Sequence, residues 1–380
     1  MKKSLHIAQI IDSLGSGGAE KLLLTFTEAA IAAGHKVSII SLIDNRTVPA
    51  VNFNVTQLSS LGANLIFINS LKLYEIRPFL KLIKLFRHEK FDVVQSHLSH
   101  GDILGGIVGW LTSTPVVATL HTPNPRQIGH YHIREFLWKF VLRYFSKKTI
   151  VVSRGIEEAY RSTVPASKLE LVLNAVNIPA PLTDHERNKI RAEMTSNPQA
   201  KLIICVGRLV PSKGISELLQ AFVSIREENA DAMLVIVGGG EIQNDLISQA
   251  RSLGVFEHVH FLGYRNDIQD LLKGADMYVS ASYLEGMSIA LLEAMAAGLP
   301  IVATNVGEVP YLLENQRGVL IPPRDVEAIA KGIIDLLNNP NEMRRMGAAA
   351  REYAENHLAP SVWLNQLMNI YNKVIGSKDI

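Results

Sequence analysis

Short apolar runs alternate with longer amphipathic stretches from one end of the chain to the other. Parallel strands are buried on both faces and are joined by helical crossovers, so this alternation predicts an α/β fold built on parallel sheets. A helix is predicted over 20–33, because the apolar spacing there is helical and Gly34 follows as a helix C-terminus. The predicted strands are 5–11, 36–42, 64–68, 93–96, 116–120, 149–152, 202–206, 233–237, 259–262, 277–279 and 301–303.

The length of 380 residues exceeds the size at which one hydrophobic core usually stops growing, so two domains are expected. Their junction is predicted within 174–198, which contains Pro179-Ala180-Pro181 and a charged helical stretch with no strong apolar face. Charge also differs between the halves. Residues 1–180 carry 20 Lys and Arg against 12 Asp and Glu, and the remainder carries 18 against 24. Such a split indicates two halves with different partners.

Three observations bear on the cellular setting. The single cysteine, Cys205, lies in an apolar run and is predicted to be a buried strand residue, so no disulfide framework exists and a reducing cytosol fits. The N-terminal apolar run is interrupted by His6, Gln9 and Asp12, which favours a first strand over a signal peptide. The long uncharged run 103–120 is broken by Thr-Ser-Thr-Pro, so no transmembrane segment is predicted.

The first predicted strand runs into Gly15-Ser16-Gly17-Gly18-Ala19-Glu20 and then a helix. A phosphate or a substrate oxygen could sit against the free N–H groups of such a turn, because glycine permits close backbone approach and a helix N-terminus favours negative charge. The dinucleotide fingerprint is incomplete, since Glu20 occupies its third glycine position, which disfavours a dehydrogenase. A tight turn whose acid complements the helix dipole is the alternative.

In the second half, Val206-Gly207-Arg208-Leu209-Val210-Pro211-Ser212-Lys213-Gly214 leaves a strand and enters a helix. Arg208 and Lys213 could converge on one diphosphate, the arginine as a bidentate fork and the lysine as a point charge. The segment is not a Walker loop, because GxxxxGK[ST] is absent. A solvated turn remains the alternative interpretation.

Two glutamates bracket the start of another predicted helix in the stretch 285–293, EGMSIALLE. Ser288 is a good N-cap, the helix is predicted over 289–297, and Gly298-Leu299-Pro300 ends it. Glu285 then lies in the preceding loop and Glu293 just over one turn inside. Free N–H groups at 286–289 could bind a phosphate, whereas the acids suit neutral sugar hydroxyls. A buried or capping Glu293 and a loop charge at Glu285 are the alternatives.

Three histidines follow predicted strands, at the edge where ligands of such sheets bind. His97 and His100 could ligate a metal, but no complete ligand set accompanies them and no metal site is predicted. His121 is the better candidate for contact with a reacting group. A plain hydrogen-bonded loop histidine is the alternative.

These motifs together resemble the retaining glycosyltransferases of family 4. The resemblance lies in GSGGAE after strand one, TLHTP at 119–123, VGRLVPSKG at 206–214, and EGMSIALLEAMAAGLPIVATNVGEVP at 285–310, whose glutamates match the E-x7-E signature of that family. It implies the GT-B fold, in which two Rossmann-like, doubly wound domains face each other across a cleft. The acceptor-side domain would be 1–175 with a C-terminal helix 361–380 packing back on it, and the nucleotide-sugar domain 176–360.

The resemblance also implies roles for individual residues. Arg208 and Lys213 would hold the diphosphate of a nucleotide sugar, Glu293 its ribose, and Glu285 the hydroxyls of the donor sugar. The expected site is completed by Gly17 and Gly18 near the donor phosphate, His121 at the reacting centre, and the backbone amides of Gly286, Met287, Ser288 and Ile289.

His121 and Glu285 are therefore the catalytic candidates, and no metal or other cofactor is expected. Two segments depart from the family pattern and put local loop contacts in doubt. Asn174-Ala175-Val176-Asn177 stands where Asn-Gly-Val-Asp is frequent, and Gly307-Glu308 where Gly-Gly is common.

The activity implied is retaining transfer of a hexosyl or N-acetylhexosaminyl group from a nucleotide sugar, a UDP-sugar in preference to a GDP-sugar. The expected acceptor is a lipid-linked or polysaccharide hydroxyl in bacterial envelope glycan synthesis. A nucleotide-sugar epimerase, a phosphorylase of the same fold and a non-catalytic sugar-binding protein are the alternatives. No nucleic-acid partner is expected, because stacking motifs are absent.

Two basic, apolar segments raise the question of membrane contact. Residues 71–90 are leucine-rich and basic, although Pro78 is expected to interrupt their helix, and residues 126–148 add Phe136, Trp138 and Phe140 among further basic residues. A cytoplasmic protein resting peripherally on the inner, anionic face of the cell membrane is one interpretation. Ordinary core-facing helices with solvated lysines are the other.

Overall fold

Two parallel sheets form the framework of the protein, one in each of two units of the chain. The computed structural model describes residues 4–15, 17–44, 46, 49–70, 75–122 and 132–376. The first unit consists of Met1–Ala175 and Pro360–Ile380, and the second of Val176–Ala359. Each unit combines its sheet with helices, which confirms the predicted α/β class with two Rossmann-like units.

Among the described residues of the first unit, seven strands form the sheet. They are β1 (His6–Ile11), β2 (Lys36–Ser41), β3 (Asn64–Phe67), β4 (Val93–His97), β5 (Val116–Leu120), β6 (Lys148–Val151) and β7 (Leu169–Leu171). Their order across the sheet is β3-β2-β1-β4-β5-β6-β7 and every pairing is parallel. The order therefore reverses between β1 and β4, which is where doubly wound sheets bind ligands.

In the described ranges of this unit, six α-helices connect these strands. They are α1 (Gly18–Ala32), α2 (Pro49–Ser60), α3 (Ile76–Glu89), α4 (Leu98–Thr112), α5 (His132–Tyr144) and α6 (Arg154–Tyr160). Helix α1 matches the prediction for 20–33 within two residues. Strands β1, β2, β4, β5 and β6 are almost wholly buried, as parallel strands covered by crossovers should be, whereas the edge strands β3 and β7 are partly exposed.

The second unit repeats the plan with six strands. They are β8 (Lys201–Val206), β9 (Ala232–Val237), β10 (Val259–Gly263), β11 (Met277–Ser280), β12 (Ile301–Thr304) and β13 (Val319–Ile321). The order is β10-β9-β8-β11-β12-β13, so this sheet reverses between β8 and β11. Its helices are α7 (Asp184–Met194), α8 (Ile215–Glu228), α9 (Gln243–Ser252), α10 (Ile268–Gly274), α11 (Ile289–Ala297), α12 (Val309–Leu312), α13 (Val326–Leu337) and α14 (Pro340–Tyr353).

All eleven predicted strands are present, with ends that differ by at most one residue from the prediction. Two strands were not predicted, β7 and β13. Each has three residues and forms an edge of its sheet, paired on one side only. So short an edge strand leaves little periodic signal in the sequence.

The charged stretch within the predicted junction forms α7, which belongs to the second unit rather than to a linker. Thr183 caps it in a reciprocal capping box with Glu186. Arg187 and Arg191 lie 2.7 and 2.9 Å from the two carboxylate oxygens of Asp276, next to β11. The helix needs no strong apolar face, because these ion pairs attach it to the unit.

The C-terminal residues form helix α15 (Pro360–Gly376), which returns to the first unit and packs on α1. Trp363 meets Phe26 of α1 edge to face at 6.1 Å between ring centroids. Tyr371 and Leu367 on the same helix are fully or almost fully buried. The first unit is therefore built from both ends of the chain.

One expectation about the basic helices is wrong, and Trp138 follows the core-facing alternative. Pro78 does not interrupt α3, because the helix begins at Ile76 and the proline falls in the first turn, where backbone N–H groups have no intrahelical partner. Trp138 is not a surface residue. It is 5% exposed, and its Nε1 donates to Asp102 at 2.8 Å. Residues 71–74 and 126–131 of the two segments lie outside the described residues.

Cys205 is buried in β8, as predicted, and burial raises the pKa of its thiol to about 12. Within the described ranges, no helix has the length and apolar character needed to cross a membrane.

Candidate active site

The switch point of the second sheet places two of the predicted motifs side by side. β8 and β11 are neighbours, with Ile203 opposite Met277 and Ile204 opposite Tyr278. The loop 207–214 leaves the carboxyl end of β8, and the loop 281–288 leaves the carboxyl end of β11. Because both loops start at one edge of the sheet, they meet.

Lys213 and Glu285 form an ion pair where these two loops meet. Their side chains are 21% and 12% exposed, so the pair is largely withdrawn from water. Ser282 donates a second hydrogen bond to the same oxygen of Glu285, Oε1, at 2.8 Å. A lysine cation and a carboxylate of the two motifs thus act on each other directly, a contact that the sequence pattern alone did not predict.

Two glycines fix the backbone around this ion pair. Gly214 has φ +63°, and a Cβ there would lie 2.1 Å from the carbonyl oxygen of Ala281. Gly307 has φ +56°, and a Cβ there would lie 2.3 Å from the carbonyl oxygen of Glu285. Only glycine combines this conformation with such close approach. Gly307 was noted only as part of a departure from the family pattern, yet it packs against the glutamate loop.

Helix α11 begins where it was predicted to begin. Ser288 is its N-cap and accepts from the backbone N–H of Leu291 at 3.4 Å. Gly298 ends the helix with φ +77°. Glu293 is 5% exposed inside the first turns, and Met287 is 8% exposed before them. The segment 286–289 therefore presents a helix N-terminus beside Glu285.

Arg208 stands apart from the ion pair. Its side chain is exposed, and it makes no hydrogen bond or ion pair with any other residue that the structure describes. An arginine without a protein partner at a strand end keeps its five donors available for a ligand.

The glycine turn of the first unit opens α1. Gly17 is the N-cap and α1 starts at Gly18, with Glu20 in its first turn. A Cβ at Gly17 would lie 2.4 Å from Glu20 Oε2, so the turn and the acid pack closely. Asn54 donates to the carbonyl of Leu14 at 3.3 Å, in the loop between β1 and α1. Ser16 lies outside the described residues.

His121 follows β5 directly and contacts His97 at the end of β4. The two rings stack with centroids 5.3 Å apart, and His121 Nε2 lies 3.0 Å from His97 Nδ1. Burial lowers the pKa of His121 to about 4 and that of His97 well below its usual range. Both imidazoles are therefore neutral near pH 7.

His100 does not join these histidines. It is 6% exposed in α4, and its Nε2 has no hydrogen-bond partner among the described residues. Burial lowers the pKa of His100 to about 4. In the described part of the chain, no three His, Cys, Asp or Glu side chains are grouped so that they could hold a metal ion.

Comparisons with known proteins agree on the family. The family described as Glycosyl transferases group 1 matches residues 186–353, and Glycosyltransferase Family 4 matches residues 16–179. Together these matches cover most of the chain. The protein belongs to the group 1 and family 4 glycosyltransferases.

Two relatives and one solved structure illustrate the similarity. An Escherichia coli UDP-Gal:alpha-D-GlcNAc-diphosphoundecaprenol alpha-1,3-galactosyltransferase is 28% identical over 273 residues, 68% of this chain and 70% of the relative. A Corynebacterium glutamicum GDP-mannose-dependent monoacylated alpha-(1-6)-phosphatidylinositol monomannoside mannosyltransferase is 29% identical over 240 residues. These residues are 60% of this chain and 61% of the relative. Anabaena HepE in complex with UDP-glucose superposes with a TM-score of 0.83 at 19% identity, covering 97% of this chain and all of that chain. The predicted GT-B fold is thereby confirmed.

Proposed function

We propose that the protein is a retaining glycosyltransferase that moves a hexosyl or N-acetylhexosaminyl group from a nucleoside diphosphate sugar to an acceptor hydroxyl. One observation carries the proposal: the Lys213–Glu285 ion pair lies beside the N-terminus of α11 at the switch point of the second sheet. Cation, carboxylate and helix terminus supply the groups that a departing diphosphate and a cationic sugar require.

The second unit is assigned the donor. Arg208 and Lys213 bind the diphosphate, and the amides of 286–289 add hydrogen bonds and the positive end of a helix dipole. Glu293 takes the ribose and Glu285 the hydroxyls of the sugar, because a carboxylate accepts two hydrogen bonds from a diol. In the first unit, Gly17 and Gly18 are assigned a phosphate contact and His121 a contact with the reacting sugar or acceptor.

The reaction exchanges one C–O bond for another at the anomeric carbon. The bond to the diphosphate breaks, the acceptor oxygen bonds to the same face, and the acceptor proton passes to the departing phosphate. Lys213 stabilises the negative charge that grows on the diphosphate. Glu285 is not assigned as a covalent nucleophile, since its Oε1 already accepts hydrogen bonds from Lys213 and Ser282. No metal is assigned a role.

A UDP-sugar is the preferred donor and a GDP-sugar the second candidate. The similarity to HepE, which was solved with UDP-glucose, and to a relative named for UDP-Gal supports the first, while a relative named for GDP-mannose supports the second. Both relatives are named for lipid acceptors, which supports a lipid-linked or polysaccharide acceptor of the bacterial envelope.

Donor identity is tested by nucleoside diphosphate release from UDP-, GDP- and ADP-sugars, with and without a membrane extract. We expect one donor to be turned over, release to rise with extract, and both responses to be lost in Glu285→Ala. Product analysis separates transfer from epimerisation, which leaves the nucleotide attached, and from phosphorolysis, which requires phosphate. Binding of a donor without turnover under any condition would contradict transfer and favour a sugar-binding protein.

An exposed apolar stripe on α5 supports peripheral contact with an anionic membrane from the cytoplasmic side. Ile133, Phe136, Phe140 and Tyr144 follow helical spacing and are 84%, 71%, 40% and 59% exposed. Arg143 lies on the same helix, next to Tyr144. Amphipathic helices with apolar and basic groups on the surface bind anionic lipid.

Vesicle sedimentation tests this surface. Wild-type protein is expected to bind vesicles of phosphatidylglycerol and phosphatidylcholine, and Phe136→Ser with Phe140→Ser to weaken binding at least about 10-fold, since each phenylalanine buried in lipid contributes about 2 kcal/mol. Leu320→Ser, which alters an apolar residue that is 41% exposed in the second unit, is the matched control. Equal binding by the double variant and the wild type would exclude the stripe as the lipid contact.

A further inference from the structure

A row of buried polar side chains leads through the first sheet to His121. Gln9 of β1 is opposite Gln95 of β4, and His97 of β4 is opposite Thr119 of β5. Because side chains alternate between the faces of a strand, Gln95 and His97 share one face, and so do Thr119 and the residue two positions on, His121. The strand register therefore gathers all five on the same face.

Hydrogen bonds join these side chains into one chain. His97 Nε2 lies 2.7 Å from Gln9 Oε1, and Gln9 Nε2 donates to Gln95 Oε1 at 3.2 Å. Gln95 Nε2 donates to the Thr119 hydroxyl at 2.7 Å. Tyr371, on helix α15, donates its hydroxyl to Gln95 Oε1. Apart from His121, no member is more than 4% exposed, so water does not interrupt the chain.

The orientation of the Gln9 amide gives the chain a direction and assigns one tautomer to each histidine. The amide oxygen of Gln9 faces His97 and can only accept, so His97 Nε2 carries the proton and Nδ1 is bare. That bare Nδ1 lies 3.0 Å from His121 Nε2, which must then be the donor. The proton of His121 is on Nε2, and its Nδ1 is left as an acceptor.

Among the residues that the structure describes, the side chain of His121 makes one hydrogen bond, through Nε2, and Nδ1 has no hydrogen-bond partner. His121 itself is partly exposed at the end of β5, unlike the other members of the chain. The bare Nδ1 carries no proton and cannot donate to a phosphate or carboxylate oxygen. It can accept from an O–H group, which is the chemistry of sugars.

We propose that Gln9 and His97 are positioning residues that hold His121 as its Nε2–H tautomer, so that Nδ1 accepts a hydrogen bond from a hydroxyl of the donor sugar or of the acceptor. The inference rests on the proposed glycosyl transfer for the identity of the ligand. The tautomer depends only on contacts within the first unit. Gln9, Gln95 and Thr119 reach no ligand in this arrangement and act through the histidines.

The tautomer is measured directly by two-bond ¹H–¹⁵N correlation in full-length protein with ¹⁵N-labelled histidine, with His121→Gln used for assignment. Wild type is expected to show a protonated Nε2 and a bare Nδ1 at His121. Gln9→Leu keeps a similar side-chain volume but removes the oxygen that accepts from His97. His121 in this variant should show a mixture of tautomers. Thr149→Val removes a buried hydroxyl of the same sheet that has no partner among the described residues, and should change nothing.

Kinetics supply the second readout. Gln9→Leu is expected to lower kcat roughly 10-fold, the loss of one oriented hydrogen bond, with little change in KM for the donor. If the hydroxyl belongs to the donor sugar, hydrolysis without acceptor falls equally, and if it belongs to the acceptor, only transfer falls.

A protonated Nδ1 at His121 in the wild type would overturn the proposal without reference to activity. The proposal would also be overturned if Gln9→Leu left both the tautomer of His121 and kcat unchanged while the wild type turned over its donor. In that case the proposed glycosyl transfer would be unaffected. Absence of turnover by the wild type would overturn the proposed function and the hydroxyl contact, whichever tautomer is found.

Discussion

Lys213→Met should lower kcat by roughly 10²- to 10³-fold, the usual effect of removing one group that stabilises charge in a transition state. Methionine keeps most of the apolar stem and removes only the cation, which lies against Glu285 and is 21% exposed. Binding of the free nucleoside diphosphate should weaken less than kcat falls, because charge on the diphosphate increases as the sugar leaves. Steady-state kinetics and calorimetry with the preferred nucleotide measure the two effects.

The matched control is Lys201→Met. Lys201 is the first residue of the same strand, β8, so it lies at the opposite end of that strand from the loop that carries Lys213. Its side chain is exposed. It should leave kcat unchanged. A double-mutant cycle with Glu285→Gln adds a second check, since partners that act as a unit give a double variant little worse than either single one. Strict additivity of the two losses, or a kcat for Lys213→Met equal to that of the control, would contradict the assigned role.

Gly307→Ala should cost about 3 kcal/mol of unfolding free energy in the second unit and lower kcat about 100-fold. A left-handed alanine costs 1–2 kcal/mol, and a Cβ 2.3 Å from the carbonyl oxygen of Glu285 adds a steric term of similar size. The clash displaces the loop that carries Glu285, and misplacement by about 1 Å is enough for such a loss of rate.

Gly254→Ala separates the two causes. Gly254 also has positive φ, +71°, but a Cβ there would have open space. It should lose only about 1–2 kcal/mol and no activity. All three tryptophans, at 110, 138 and 363, fall in the first unit, so tryptophan fluorescence would not report on unfolding of the second unit. Amide hydrogen exchange in α11 is the better probe. Equal exchange rates in α11 for the two variants would rule out the steric explanation.

The sequence predicted the parts of the fold that depend on local periodicity. Strands with continuous apolar runs, such as 202–206, and the Ser288 cap of α11 need only neighbouring residues to be recognised. The three-residue edge strands were not predicted, because each is defined by its hydrogen bonds to a single strand that is distant in the sequence. Helix α7 was recognised only as a charged stretch within the predicted junction segment, because its attachment, through Arg191 and Asp276, joins residues 85 positions apart.

The candidate residues of the site were predicted from motifs, but the contacts among these residues were not predicted. The ion pair of Lys213 with Glu285 spans 72 positions, and the row from Tyr371 to His121 depends on the register of three strands. One signal was available in the sequence: Gln9 interrupts the apolar run of β1, and Gln95 directly follows two valines in β4. A buried polar side chain needs a hydrogen-bond partner. Two such side chains on strands of one sheet therefore predict a hydrogen bond between them.

Helix α15 has a consequence for biosynthesis. The second unit is one continuous segment, so every residue it needs has been synthesised once Ala359 is added. The first unit lacks Trp363 and Tyr371 until later, although its strands were made first. During synthesis, the residues of α15 that pack on the first unit are therefore added only after the whole second unit. Completion of the first unit therefore follows synthesis of the second.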